Sequence, residues 1–145
     1  MTRFLNSLIF ICITSIFSSP LPAQGTSIQK ALHCKASELG QHPIEIGDLS
    51  LTISHLNYRS LKLLLKNVSE LFIPFSPDDL TILGSDGSQN YIEITYIRDP
   101  GRWISPAQVK IGPKAHLQLE YGLNDEVKFP AKIFYKGKPI VEITK

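Results

Sequence analysis

Leu49-Ser50-Leu51-Thr52-Ile53-Ser54 alternates large aliphatic and small hydroxyl side chains with a period of two. A strand sends successive side chains to opposite faces, so the pattern buries Leu49, Leu51 and Ile53 and leaves Ser50, Thr52 and Ser54 on the other side. His55 continues the inward set and is expected at the rim of the core. The same alternation returns in Leu61, Leu63 and Leu65 against Lys62 and Lys66, with Leu64 interrupting the polar side.

Turn chemistry divides the rest of the chain from residue 44 onward. Asn67-Val68-Ser69-Glu70 has turn composition, Leu71 to Phe75 is a short apolar strand, and Ser76-Pro77-Asp78-Asp79 interrupts it before Leu80 to Leu83. Gly84-Ser85-Asp86-Gly87 supplies residues that tolerate positive φ, so Leu80–Leu83 and Tyr91–Ile97 are expected to form a hairpin. Arg98 to Gln108 holds two prolines, a glycine and the only tryptophan, and is expected to be the longest irregular connection. Three strands follow, through Val109 and Ile111, Leu117 to Tyr121, and Phe129 to Tyr135. Lys136-Gly137-Lys138 then reverses the chain into a final strand with Val141 and Ile143. About eight short strands with no helix between them predict an all-β fold. The economical form is an immunoglobulin-like antiparallel β-sandwich of about seven to eight strands, with a small closed β-barrel as the alternative.

The N-terminus reads as an address. Arg3 supplies a positive start, Leu5 to Phe17 is mostly apolar, and Ser18-Ser19-Pro20-Leu21-Pro22-Ala23 precedes Gln24. This is the pattern of a signal peptide over residues 1–23, cleaved between Ala23 and Gln24. A spanning helix needs roughly 20 apolar residues, and this run is shorter and interrupted, so no stable membrane span is expected after cleavage. Residues 24–43 form an N-terminal segment in which Ser27 as cap, Ile28, Ala31, Leu32 and Leu39 on one side, and Gly40 as a stop outline a short helix. Residues 44–145 form the β domain.

Cleavage removes Cys12 and leaves Cys34 alone, so the mature chain has no internal disulfide and rests on its apolar core. A small buried hydrophobe is the commoner fate of such a thiol, and a reactive or intermolecular role the rarer one. Lysine and arginine exceed the acids by 15 to 13 over the whole chain, which gives no electrostatic case for nucleic acid. The lysines are scattered along the sequence, which suits a solvated face better than a membrane-binding patch.

From about Ile46 to Lys145 the chain resembles a bacterial family of exported immunoglobulin-like domains of unknown function. The elements that carry the likeness are Gly47-Asp48-Leu49-Ser50-Leu51-Thr52-Ile53, Lys66-Asn67-Val68-Ser69, Phe75-Ser76-Pro77-Asp78-Asp79-Leu80, and Leu83 through Asp86-Gly87 to Tyr91. Where the family usually has proline-glycine before a late strand, this chain has Ile111-Gly112-Pro113. Asn67 and Asp86-Gly87 suit turns, Phe75 and Tyr91 suit a core, and Pro77 suits an edge or bend. The resemblance implies an adhesion or binding module and no catalytic residues.

Four histidines, at 33, 42, 55 and 116, lie in no recognisable catalytic or metal motif. The only methionine is the initiator, which argues against a blue-copper site, and no cofactor is expected. Asp78, Asp79 and Asp86 fall on two connections that would suit calcium if they shared one end of the sandwich, but their spacing matches no calcium loop and aspartate is equally expected in turns. The best candidate for partner binding is Arg98-Asp99-Pro100-Gly101-Arg102-Trp103, because tryptophan and arginine carry much of the energy at interfaces. Arg98, Arg102 and Trp103 are the residues expected to make contact, and Trp103 plugging the core is the competing role. The sequence therefore predicts a secreted or periplasmic, noncatalytic binding or structural module for an unknown protein or cell-envelope ligand. An inhibitor of extracytoplasmic proteases is the alternative.

Overall fold

Thirteen strands joined by turns account for most of the residues described by the computed structural model, which are 30–97, 102–104 and 108–145. In chain order they are β1 (Leu32–Lys35), β2 (Ile44–Ile46), β3 (Leu49–Asn57), β4 (Ser60–Asn67), β5 (Ile73–Phe75), β6 (Leu80–Leu83), β7 (Gln89–Asn90), β8 (Ile92–Ile97), β9 (Arg102–Ile104), β10 (Val109–Ile111), β11 (His116–Leu123), β12 (Ala131–Tyr135) and β13 (Lys138–Thr144). The expected signal segment, with Ala23 and Gln24, lies outside the described residues, as does Arg98.

The strands form a six-stranded sheet in the order β2-β3-β4-β11-β8-β9, a five-stranded sheet in the order β1-β13-β12-β6-β7, and a two-stranded ribbon of β10 and β5. All pairings are antiparallel except β1 with β13, which run parallel. The inward rows of the two larger sheets meet in one apolar cluster: Leu51, Leu63, Leu65, Leu119 and Tyr121 from one, Ile82, Ile133, Val141 and Ile143 from the other. This is the all-β, sandwich-like layering that period-two burial dictates. Phe75 joins the ribbon to the five-stranded sheet by stacking on Tyr135, with ring centroids 5.8 Å apart.

The alternation through Leu49, Leu51 and Ile53 is buried as expected, but it does not continue to His55. The β3–β4 register slips between Ile53 and His55, so one extra residue enters β3 and the inward row resumes at Leu56. His55 is exposed, because such a bulge reverses the facing of every residue after it. The expected hairpin of Leu80–Leu83 with Tyr91–Ile97 is also corrected. β6 pairs with the two-residue β7, and the chain then crosses to the other sheet, where β8 pairs with β11. Tyr91 lies at that crossing and is 57 % exposed, so it is not a core residue.

The expected N-terminal helix gives way to β1 and a single 3-10 turn, Ala36–Glu38. Four residues paired to β13 place Cys34 opposite Ile143 and bury it, so edge pairing prevails over the weak helical pattern of a segment too short to nucleate a helix alone. Burial, with the nearby Glu38 carboxylate adding to it, pushes the Cys34 thiol up from its ordinary range. It is therefore held in the unreactive protonated form. Residues 102–104, expected within an irregular connection, form the edge strand β9 instead. Among the described residues no helix is long and apolar enough to cross a membrane.

Candidate functional site

The β3–β4 reversal leaves only Tyr58 and Arg59 between the paired residues Asn57 and Ser60. Such a tight tip has no room to fold a large side chain inward, and Tyr58 is 64 % exposed. Three other segments are bound around this tip. The Val127 amide donates to the Tyr58 carbonyl at 2.8 Å and the Leu123 amide to the Arg59 carbonyl at 2.9 Å. The Tyr91 amide donates to Asn124 Oδ1 at 2.7 Å, and buried Asn90 donates through Nδ2 to the Asp125 carbonyl at 2.9 Å. Ser85 donates from its backbone to the Lys128 carbonyl at 3.0 Å and from Oγ to the Phe129 carbonyl at 2.9 Å.

The β6–β7 turn comes this close because of a glycine. A Cβ on Gly84 would lie 2.8 Å from Ser88 Oγ, 2.9 Å from Asp86 Oδ1 and 3.2 Å from Lys128 Cβ. Between these laced segments opens a groove of about 550 Å³ lined by Leu56, Tyr58, Val127 and Phe129, with Asp86, Glu126, Lys128 and Lys145 also contributing. Hydrogen bonds from Ser88 hold the Asp86 carboxyl below its ordinary range, and the Glu126 carboxylate at 2.8 Å holds the Lys128 ammonium above its own. Lys145 Nζ lies 5.9 Å from the Phe129 ring centre. The groove therefore has apolar and aromatic lining residues and charges of both signs, a surface chemically suited to stacking and to ion pairing at its edge.

The opposite end of the same hairpin is organised by Asn67. Leu49 pairs with Asn67 at one end of β3 and Asn57 with Ser60 at the other, a separation of about 25 Å at the usual strand rise. Asn67 is fully buried, and its side-chain nitrogen donates to the carbonyls of Leu71 (2.6 Å), Ile111 (3.1 Å) and Gly112 (2.9 Å). Its Oδ1 accepts from the Ser69 amide and hydroxyl at 2.8 and 2.9 Å. The turn so braced displays Leu71 and Phe72, which are 75 % and 67 % exposed.

Of the residues expected to bind a partner, Arg102 and Trp103 lie on β9, in register with Ile97 and Tyr96 at the edge of the six-stranded sheet. That backbone position on an edge strand is what the structure describes of them. Asp78 and Asp79 do not meet Asp86: the 3-10 turn that carries the pair precedes β6, and the Asp86 turn follows it, so they stand at opposite ends of a strand. His33 is exposed with Nδ1 3.5 Å from Glu142, and His42, His55 and His116 are exposed. Compared with known proteins, the chain matches no family model, no curated protein and no solved structure. The groove residues escaped the sequence reading, although Asn57-Tyr58-Arg59-Ser60 between two period-two runs is itself the signal of an exposed hairpin tip.

Proposed function

We propose that this chain is an exported, noncatalytic binding module on an immunoglobulin-like sandwich, and that it holds its partner in the groove beside Tyr58. The strand order supports the fold reading. If β3, β4, β11 and β8 stand for strands A, B, E and D, and β6, β12 and β13 for C, F and G, the two sheets follow the immunoglobulin order in space and along the chain. The signal-like residues 1–23 support the address, and the resemblance from Ile46 onward supports both.

The observation that carries the binding role is the hydrogen-bonded lacing of the groove's turns, which fixes the backbone that presents exposed Tyr58 beside apolar lining residues before any ligand arrives. Preorganisation of this kind lowers the ordering cost of association, and tyrosine is a preferred anchor at interfaces. Loops at a sandwich's end are also where such domains recognise ligands. The test uses immobilised protein and the native envelope fraction, with Tyr58→Ala as the paired bait. A component retained by the wild type and lost with Tyr58→Ala is the expected result, whereas equal retention by both baits would count against the groove.

A further inference from the structure

We infer that the Leu71–Phe72 turn is a docking tip for the surface of a bilayer containing anionic lipid. The inference is independent of the groove, which lies at the other end of the β3–β4 hairpin. Two adjacent large apolar side chains, 75 % and 67 % exposed, cap a turn that the fold makes rigid. Solvated loops usually place such residues singly or fold them back, so the pair calls for a partner.

The chemistry of the turn favours lipid because the backbone groups of Val68, Ser69 and Leu71 are already paired within the protein. The amides of Val68, Ser69 and Leu71 donate to the Asp48 carbonyl, Asn67 Oδ1 and Ser69 Oγ. The carbonyls of Val68, Ser69 and Leu71 accept from Lys114 Nζ, the Lys114 amide and Asn67 Nδ2. A segment with these groups paired enters a region poor in water without leaving them bare, which an ordinary solvated loop cannot do.

Charge points the same way. Lys110 lines a hollow of about 360 Å³ with Phe72 and Pro74, and Lys114 reaches Val68 at 2.6 Å and Glu70 at 3.1 Å. Lys66 immediately precedes Asn67 and is exposed. These lysines are far apart in sequence, and the Asn67 clamp gathers Lys110 and Lys114 beside the apolar pair. Glu70 offsets the charge of Lys114, so the attraction rests on Lys110 beside Phe72 and on exposed Lys66, whose stems along apolar surface and ammonium groups at headgroup level would complement an anionic bilayer.

The test is cosedimentation of the exported protein with phosphatidylcholine vesicles, with and without phosphatidylglycerol. Wild type and the double variant Leu71→Ser/Phe72→Ser are compared with the same N-terminus, so the difference reads the tip. The expected result is binding that needs phosphatidylglycerol, weakens with salt, and falls on the order of tenfold in the double variant and in Lys110→Glu. A Phe72→Trp variant provides a second reading, with emission quenched by brominated lipid. Equal binding by wild type and double variant, or no quenching, would overturn the inference. So would a Phe72-dependent dimer, or a Phe72-dependent block of extracytoplasmic proteases, in protein that ignores vesicles.

Discussion

Asn67 Nδ2 donates to the Gly112 carbonyl at 2.9 Å, joining the end of β4 to a turn 45 residues further along the chain. The same nitrogen reaches Ile111 and Leu71, so one buried side chain holds β4, the exposed turn and β10 together. An unpartnered amide there would be costly, and its full set of partners is what allows a polar residue to be wholly buried.

Asn67→Ala removes the clamp and leaves carbonyls that water reaches poorly. The expected loss is about 3 kcal/mol in urea denaturation, the scale of several buried groups left unsatisfied. Asn67→Asp is expected to cost more, because a carboxylate oxygen would face three carbonyls.

Tyr121 gives the opposite expectation. It is fully buried opposite Thr95, and its hydroxyl has no hydrogen-bond partner among the described residues. Tyr121→Phe is therefore expected to be neutral or stabilising at neutral pH, within about 1 kcal/mol of the wild type. Burial pushes the Tyr121 phenol well above its ordinary value of 10.0. Above that pH the unfolded chain releases a proton that the folded chain keeps, so stability falls as pH rises. Denaturation across that range should show a shallower fall in the variant. Some fall persists, because burial and the Asp79 charge also raise Tyr135.

Gly84 tests whether the groove depends on its turns. A Cβ at 2.8 Å from Ser88 Oγ disturbs the β6–β7 turn itself, and at 3.2 Å from Lys128 Cβ it presses on the segment that carries Phe129. Gly84→Ala is expected to destabilise by about 1–3 kcal/mol in thermal and urea unfolding. It should also shift the amide resonances of Lys128 and Phe129.

Much of this architecture was legible as local pattern. The period-two rows through Leu51, Leu63, Leu119 and Ile133 are the core, and Lys136-Gly137 turns the chain with both residues at positive φ, as a two-residue hairpin loop demands. What local pattern does not carry is partnership. Nothing in Leu80–Leu83 or Ile92–Ile97 says that they belong to different sheets, because both are short isoleucine- and threonine-bearing runs and both send residues, Leu80 and Ile82 from one and Ile92 from the other, into the same core. The extra residue before His55 leaves no compositional mark, and its consequence for facing is seen only in the register with β4. Asn67 read as a turn residue, and it is one, but its partners at 111 and 112 lie beyond any local window. Trp103 drew notice by residue type, whereas Tyr58 owes its position to the brevity of its turn.

The central claim is that the groove beside Tyr58 is where a partner binds. Its most direct test is an amide chemical-shift map of the ¹⁵N-labelled protein titrated with the envelope component captured by the wild type. The expected perturbations cluster in residues 56–59, 85–86 and 126–129. Perturbations confined to Arg102–Ile104 and the facing residues of β8, with the groove unmoved, would contradict it.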